Sequence, residues 1–228
     1  MSKNLKLNHL GIILDGNRRW ARKRLLPTLE GHRRGYNKLK KVCYWCIEQD
    51  IKIFSVYAFS TENWKRSKRE VDYLFNLLEN GLRNDLDEMH SKNIRLKFIG
   101  QIERLPSSLR KIIAQTERKT KNNTKLLFQV CLSYGGRSEI TQAIQKIIDS
   151  GAKKITEKTI EKYLWTHGVP DPDMIIRTSG EHRLSNFLTW QSAYSELLFI
   201  DVPWPAFSKT DLKKAVNEYK KRHRRYGK

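Results

Sequence analysis

No stretch of this chain approaches the ~18–20 uninterrupted apolar residues that cross a membrane, and residues 1–8 contain no apolar core of a secretion signal. Both absences predict a cytoplasmic protein. Cysteine is scarce and odd in number: three residues make no disulfide framework and predict free thiols. Acid is in short supply as well, with 24 Asp and Glu against 45 Lys and Arg in 228 residues, a formal charge of +21. Internal repeats, low-complexity tracts and linkers are missing, which argues for one domain over 1–228. An aromatic content of 10% excludes the composition of a disordered chain. What remains is a basic globular protein with anionic partners.

The positive excess is concentrated. Residues 18–41 hold ten basic residues and one acid, Glu30; residues 209–228 hold nine basic residues and two acids. Such a surface fits a solvated exterior, a nucleic acid, an anionic membrane or a phosphorylated small molecule, and charge alone does not choose among them.

Short apolar, β-branched-rich runs predict strands at 9–15, 51–59, 94–99, 126–134, 173–178 and 197–201. Most are apolar on successive positions, the pattern of a sheet covered by helices on both faces. Helical stripes lie between them: Tyr36, Leu39, Cys43, Cys46 and Ile47; a longer one from Val71 to Met89; and another from Ile140 to Ile148. Ser208 and Asp211 have capping-box spacing, with Phe207 and Leu212 placed as a hydrophobic staple for a last helix. The alternation predicts an α/β fold: a single-domain, mostly parallel six-stranded sheet flanked by helices.

Ligands of such sheets bind beyond the carboxyl ends of the strands. The first strand runs into Asp15-Gly16-Asn17-Arg18-Arg19-Trp20 and a short basic helix. A carboxylate there suits a hard cation such as Mg2+, and free amides at a helix start suit phosphate, although an ordinary βα turn also favours Asp and Asn. The run is neither a dinucleotide fingerprint nor a P-loop. The second strand ends in Ser60-Thr61-Glu62-Asn63-Trp64-Lys65-Arg66, and a later one in Arg177-Thr178-Ser179-Gly180-Glu181-His182-Arg183-Leu184-Ser185-Asn186. Two arginines and a serine within residues 177–185 can grip a diphosphate through charge-assisted hydrogen bonds.

These blocks, with Gly31-His32, Tyr134-Gly135-Gly136-Arg137, Trp190-Gln191-x-x-Tyr194-x-Glu196-Leu197 and Arg225-Tyr226-Gly227, closely resemble the cis-prenyltransferases, which include the undecaprenyl diphosphate synthases. The similarity runs in order from about His9 to the C-terminus. It implies head-to-tail addition of isopentenyl diphosphate to an allylic diphosphate such as farnesyl or geranylgeranyl diphosphate, with a cis double bond formed and pyrophosphate released. It also implies Mg2+ dependence, an apolar tunnel for the product, and a homodimer. The chain has no adjacent Asp pair, so the Asp-Asp-x-x-Asp metal motif of the trans enzymes is absent.

Carried over by position, the resemblance gives Asp15 and Glu196 to the metal, with His182 beside it. Gly16, Asn17, Arg18 and Arg19 cradle the allylic diphosphate, with His32 and Arg66 nearby. Arg177, Arg183 and Ser185 bind isopentenyl diphosphate, and Ser60 and Asn63 assist deprotonation. Trp20 and Trp64 wall the reacting carbons, and Arg225 and Gly227 reach the neighbouring site of the dimer. The 71–89 stripe is the candidate tunnel wall, and the small Ala58 near its mouth favours a medium or long product. Thr28 departs from the pattern, standing four residues before His32 where many relatives carry a phosphate-binding arginine, so either Arg24 or Arg33 takes its place or the allylic diphosphate binds more weakly.

Cys43-x-x-Cys46 has redox spacing but lies on an apolar stripe with no second pair to complete a zinc site, so it reads as structural. Cys131 reads as a buried strand residue, and His9, His90, His167 and His223 lack ligand spacing. Gly135 and Gly136 read as a tight strand-to-helix turn. The distinctive residues gather at strand ends and form neither a recognition helix nor an aromatic platform, which argues against nucleic acid. A short-chain or irregular prenyl diphosphate synthase of the same fold is the nearer alternative. The basic exterior predicts peripheral contact with the anionic inner face of the membrane.

Overall fold

Parallel strands buried on both faces read as mostly apolar runs, and the central strands of this chain do so except where buried polar side chains bond one another, His9 and Gln129 both reaching Ser55 Oγ (2.8 and 3.1 Å). The computed structural model describes residues 5–222. Its strands are β1 (His9–Ile13), β2 (Ile53–Ser60), β3 (Ile94–Ile99), β4 (Leu126–Tyr134), β5 (Met174–Arg177) and β6 (Glu196–Phe199). They form one sheet in the order β3-β4-β2-β1-β5-β6, and every pair is parallel. The helices are α1 (Asn17–Arg22), α2 (Thr28–Glu48), α3 (Lys68–Ser91), α4 (Ser107–Thr120), α5 (Gly136–Asp149), α6 (Glu157–Tyr163) and α7 (Lys209–Lys221).

The period of two along each strand sorts the core into two layers. Leu10, Ile12, Phe54, Val56, Phe128, Val130 and Ile176 pack with buried residues of α2, α3, α4 and α7. Ile13, Tyr57, Ile99, Cys131 and Ile175 point the other way, onto Tyr134, Phe187 and Leu188. From β1 the chain builds outward through β2 on one side and β5 on the other, so the order reverses at β1. The crevice at such a reversal is where this class of sheet binds ligands.

Several strand ends differ from the sequence-based bounds because side chains or turns capture the backbone first. β1 stops at Ile13, where the Asp15 N–H bonds back to the Ile13 carbonyl in a tight turn (2.9 Å). Asp173 lies before β5, and its carboxylate accepts from the N–H groups of Asn8 and His9 (2.8 and 2.9 Å). β6 begins at Glu196 and ends at Phe199, short of the expected 201. The last helix starts as the capping box indicates: Ser208 accepts from the Asp211 N–H, whose carboxylate accepts in return from the Ser208 N–H. Cys43, Cys46 and Cys131 are buried, and desolvation pushes their thiols above the ordinary range, so the Cys-x-x-Cys pair is core. Gly135 is extended (φ −160°), which any residue adopts. Both glycines of that turn are there for close approach: a methyl at Gly136 would stand 2.3 Å from Thr189 Oγ1, and one at Gly135 2.6 Å from Asn186 Nδ2.

Candidate active site

Asp15 sits just past β1, with its backbone pinned from both sides. Its carbonyl accepts from Thr178 Oγ1 (2.7 Å) and from the Trp204 N–H (2.9 Å). Gly16 follows at φ 97°, where an added methyl would meet Ser179 Oγ at 2.6 Å and Pro203 at 2.9 Å, so only glycine fits. α1 then begins with no side-chain cap, leaving its first amides open. α2 packs against this turn at Gly31 and Gly35, where methyls would lie 2.1 Å from the Asn17 carbonyl oxygen and 2.3 Å from its Oδ1. Asn17 donates to the Leu14 carbonyl (3.2 Å), while its buried Oδ1 has no protein partner.

Arg177, at the end of β5, is buried and reaches across to Asp15 Oδ2 (2.9 Å). It also donates to Ser185 Oγ (2.8 Å) and to the Arg183 carbonyl, and its Nε is a buried donor without a partner. The loop that supplies these acceptors is strained, with Ser185, Asn186 and Leu188 at φ 48°, 69° and 44°. Non-glycine residues held in this region cost about 1–3 kcal/mol each, and such strain gathers at ligand sites. Just after the loop, Gln191 donates to the fully buried Glu139 of α5, which also accepts from Tyr134 and Thr166.

A second group of charges stands on the α3 side. Ser67 caps α3 and Glu70, three residues on, gathers Arg66 (3.0 Å), His32 (3.2 Å) and Arg18 (3.8 Å). Burial lowers the His32 pKa, with the Arg66 charge adding to it, so the ring is neutral at neutral pH. Glu181 does the same for Arg19 (2.7 Å) and Arg183 (2.6 Å). Arg66, Arg137 and Arg177 line the mouth beside Asp15 and Glu62, and Arg18, Arg19 and Arg183 pair with Glu70 and Glu181 next to it; six arginines against four carboxylates leave an excess of positive charge for an anionic ligand. Glu70 and Glu181 were not assigned roles from the sequence. Ser67-x-x-Glu70 has capping-box spacing and could have drawn attention to the first.

The mouth opens into a cavity of about 740 Å3 that holds Asp15, Asn17, His32, Ser60, Arg66 and Arg177 at one end. From there it runs between α2, α3 and the sheet, past Ala58, Leu74, Phe75 and Leu78 to Met89, Leu96 and Phe128. Phe128 lies six residues back along β4 from Tyr134, which pairs with Ser60, a depth of about 20 Å at 3.3 Å per residue. The 71–89 stripe is therefore both core and cavity wall.

Not every expected residue joins this mouth. Ser60 and Asn63 line it, but they also cap the turn at Thr61–Lys65, with Asn63 Oδ1 accepting from the Ser60 N–H (3.1 Å). Trp64 backs the wall instead of lining it: its ring meets Phe59 and Phe75 (5.3 Å each) and its Nε1 donates to Ser133 Oγ (2.9 Å). Trp20 lies under the Arg24 guanidinium (4.4 Å) and does not line the cavity. The His182 ring stacks on Phe199 (5.0 Å). Glu196 is level with Leu10 in the sheet, two strands away and about 16 Å short of Asp15 along the strand direction, and it pairs with Arg222 (2.7 Å). The chain by itself does not bring Glu196 to Asp15. Arg225 and Gly227 lie outside the described residues.

Among the described residues no group of three or more His, Cys, Asp or Glu could cage a metal. The Asp15 carboxylate beside this cationic mouth nevertheless suits Mg2+, which takes one or two carboxylates and completes its shell with water and substrate phosphate.

A cationic mouth over a long apolar cavity suits a ligand with an anionic head and a hydrocarbon tail. The chain belongs to the family of undecaprenyl diphosphate synthases, the cis-prenyltransferases: the family profile described as putative undecaprenyl diphosphate synthase matches residues 13–227. A tritrans,polycis-undecaprenyl-diphosphate synthase (geranylgeranyl-diphosphate specific) of Thermoplasma volcanium is 51% identical over 96% of this chain and 88% of its own. An isoprenyl transferase of Heliobacterium mobile is 46% identical over 96% and 86%. Among solved structures, lavandulyl diphosphate synthase from Lavandula x intermedia, in complex with dimethylallyl diphosphate, superposes with a TM-score of 0.94 at 36% identity, covering 98% of this chain and 99% of that one. A probable undecaprenyl diphosphate synthase from Campylobacter jejuni gives 0.84 at 34%, covering 98% and 100%. The chain is a prenyltransferase, with the fold and reaction class that its strand-end motifs imply.

Proposed function

We propose that the chain extends geranylgeranyl diphosphate with successive isopentenyl units to a cis-polyprenyl diphosphate of undecaprenyl type. The observation that carries this reading is the apolar cavity running from the Asp15–Arg177 pair to Phe128. The choice of primer is supported by the geranylgeranyl-diphosphate specificity of the 51% identical relative; farnesyl diphosphate is the other primer. Closeness in backbone to the lavandulyl enzyme favours a second reading, a short or irregular product. The depth of the cavity speaks against it, because a short chain leaves the Met89 end unused.

In each cycle the allylic C–O bond breaks and its electron pair leaves with the diphosphate. The double bond of isopentenyl diphosphate then forms the new C–C bond to the allylic carbon, and a proton lost from the adjacent carbon restores a double bond. Gly16, Asn17, Arg18 and Arg19, with Arg66 and His32, hold the allylic diphosphate and stabilise the charge it gains on leaving. Arg177, Arg183 and Ser185 hold isopentenyl diphosphate, the unpartnered Arg177 Nε being a donor that ligand can satisfy. Ser60 and Asn63 stand at the mouth to pass on the departing proton. The Phe59–Phe75 wall, stiffened by Trp64, shields the cationic carbon from water. Mg2+ held by Asp15 and the diphosphate oxygens would neutralise phosphate charge. Each methylene buried contributes about 0.8 kcal/mol, so a long tail binds tightly and its release limits turnover.

The whole chain acts as one cytoplasmic catalytic domain. It works as a homodimer and rests on the anionic inner face of the membrane. The test is chromatography of labelled products from isopentenyl diphosphate with geranylgeranyl or farnesyl primer, with Asp15→Asn as the control. Long cis products and a loss of at least about 10²-fold in Asp15→Asn are expected. Absence of pyrophosphate release with either primer, or tight nucleic-acid binding in its place, would overturn the proposal.

A further inference from the structure

α1 ends in a motif that normally calls for glycine. The Leu26 N–H bonds to the Ala21 carbonyl (3.0 Å) and the Leu25 N–H to the Arg22 carbonyl (3.0 Å), the paired bonds of a Schellman cap. Its left-handed position is filled by Leu25 at φ 56°, where glycine has no steric cost. Leu25 is also 95% exposed, and Leu26 beside it is 37% exposed. Of the large exposed hydrophobics among the described residues, Leu25 alone sits at positive φ. Folding thus gains nothing from this leucine: it packs on nothing and strains the backbone. Around it the surface is cationic: Arg22, Lys23 and Arg24 are exposed and no acid occurs between Arg18 and Leu29, whereas Arg33 and Arg34 of α2 are paired with Glu30 (2.7 and 2.8 Å). Arg24 is held up against the Trp20 face rather than against a carboxylate.

From this juxtaposition we infer that Leu25 and Leu26 form a wedge that enters the headgroup region of an anionic bilayer, with Arg22, Lys23 and Arg24 on the lipid phosphates. The inference rests on the membrane contact proposed above and assigns it to a particular segment. An apolar tip ringed by cations is the pattern that binds such interfaces, where apolar burial and attraction to anionic lipid add. The wedge lies at the far end of the six-residue helix whose first residue, Asn17, lines the cavity mouth. Docking there sets the mouth close to the lipid that takes up the product.

Flotation with vesicles of phosphatidylcholine alone, and of equal parts phosphatidylcholine and phosphatidylglycerol, tests this on the full chain and on Leu25→Gly. Glycine suits the cap, so the variant folds at least as well as the parent and keeps its turnover on detergent-dispersed substrates. The expected result is preferential binding of the parent to the anionic vesicles and about a tenfold loss in Leu25→Gly. A parent that binds both vesicle types alike removes the membrane reading itself, and this inference with it. A parent that prefers anionic vesicles, with a variant that binds equally well, leaves that reading standing and overturns the wedge. Weakened self-association in Leu25→Gly with unchanged vesicle binding would also overturn it, by making a second copy of the chain the occupant.

Discussion

Replacing Gly31 by alanine tests how the catalytic turn is built. In isolation the change favours the α2 helix by about 1 kcal/mol, since glycine is a poor helix former. In the fold, the new methyl would stand 2.1 Å from the Asn17 carbonyl oxygen, whereas ordinary contact begins at 3.4 Å. Backbone cannot swing aside as a side chain can, so α2 and the Asn17 turn must part by more than an ångström. Overpacking of this kind costs about 1–3 kcal/mol, so the net effect on stability is a loss of about 0–2 kcal/mol. Activity should suffer more, because misplacing a substrate cradle by about 1 Å costs about 10²-fold. Steady-state kinetics with labelled isopentenyl diphosphate, beside urea unfolding of the same preparation, gives both numbers. Gly35→Ala is the companion variant: its methyl meets the side chains of Asn17 and Trp204, which can yield in part. A Gly31→Ala protein about 1 kcal/mol more stable and fully active would refute the close approach of α2 to the turn.

Other outcomes follow from the same structure. His9 is buried and bonded to Ser55 and the Pro170 carbonyl, and desolvation pushes its pKa down to about 4. The unfolded ring takes a proton near pH 6.5 and the folded one resists, so stability is full above pH 6.5 and drains by about 3 kcal/mol as pH falls towards 4. Urea melts across that range should show this slope, and its persistence in His9→Gln would assign it elsewhere. Phe128→Ala should lengthen the products by deepening the cavity and cost about 3 kcal/mol; an unchanged product ladder would mean that Phe128 is not its floor. Thr28→Arg, at the first residue of α2, should lower the KM for the allylic diphosphate about tenfold through one charge-assisted hydrogen bond. An unchanged KM would show that Thr28 does not weaken that site.

The strand interiors and the residues at their carboxyl ends were legible because burial on both faces leaves a continuous apolar signature and a polar stop. Asp15, Arg177 and Ser185 fall out of that logic, and the structure joins them through Arg177. The strand limits were less legible, since Asp173 and the Asp15 turn take backbone donors that a ladder would otherwise use. Among the aromatics, sequence proximity misled: Trp20 and Trp64 adjoin the motifs, yet one lies beneath Arg24 and the other behind Phe59.

By itself the amino-acid order determined the parallel sheet, the cationic strand ends and the apolar α3 face, because periodicity and residue type are local properties. Only the tertiary structure decided which carboxylate steadies which arginine: Glu70 meets His32 from 38 residues away, and Arg19 meets Glu181 from 162 away. It also carried Glu196 to the opposite end of the sheet and turned the α3 stripe into one wall of a cavity. Charge pairing and enclosed space are made by distant segments meeting, and no local pattern records which segments will meet.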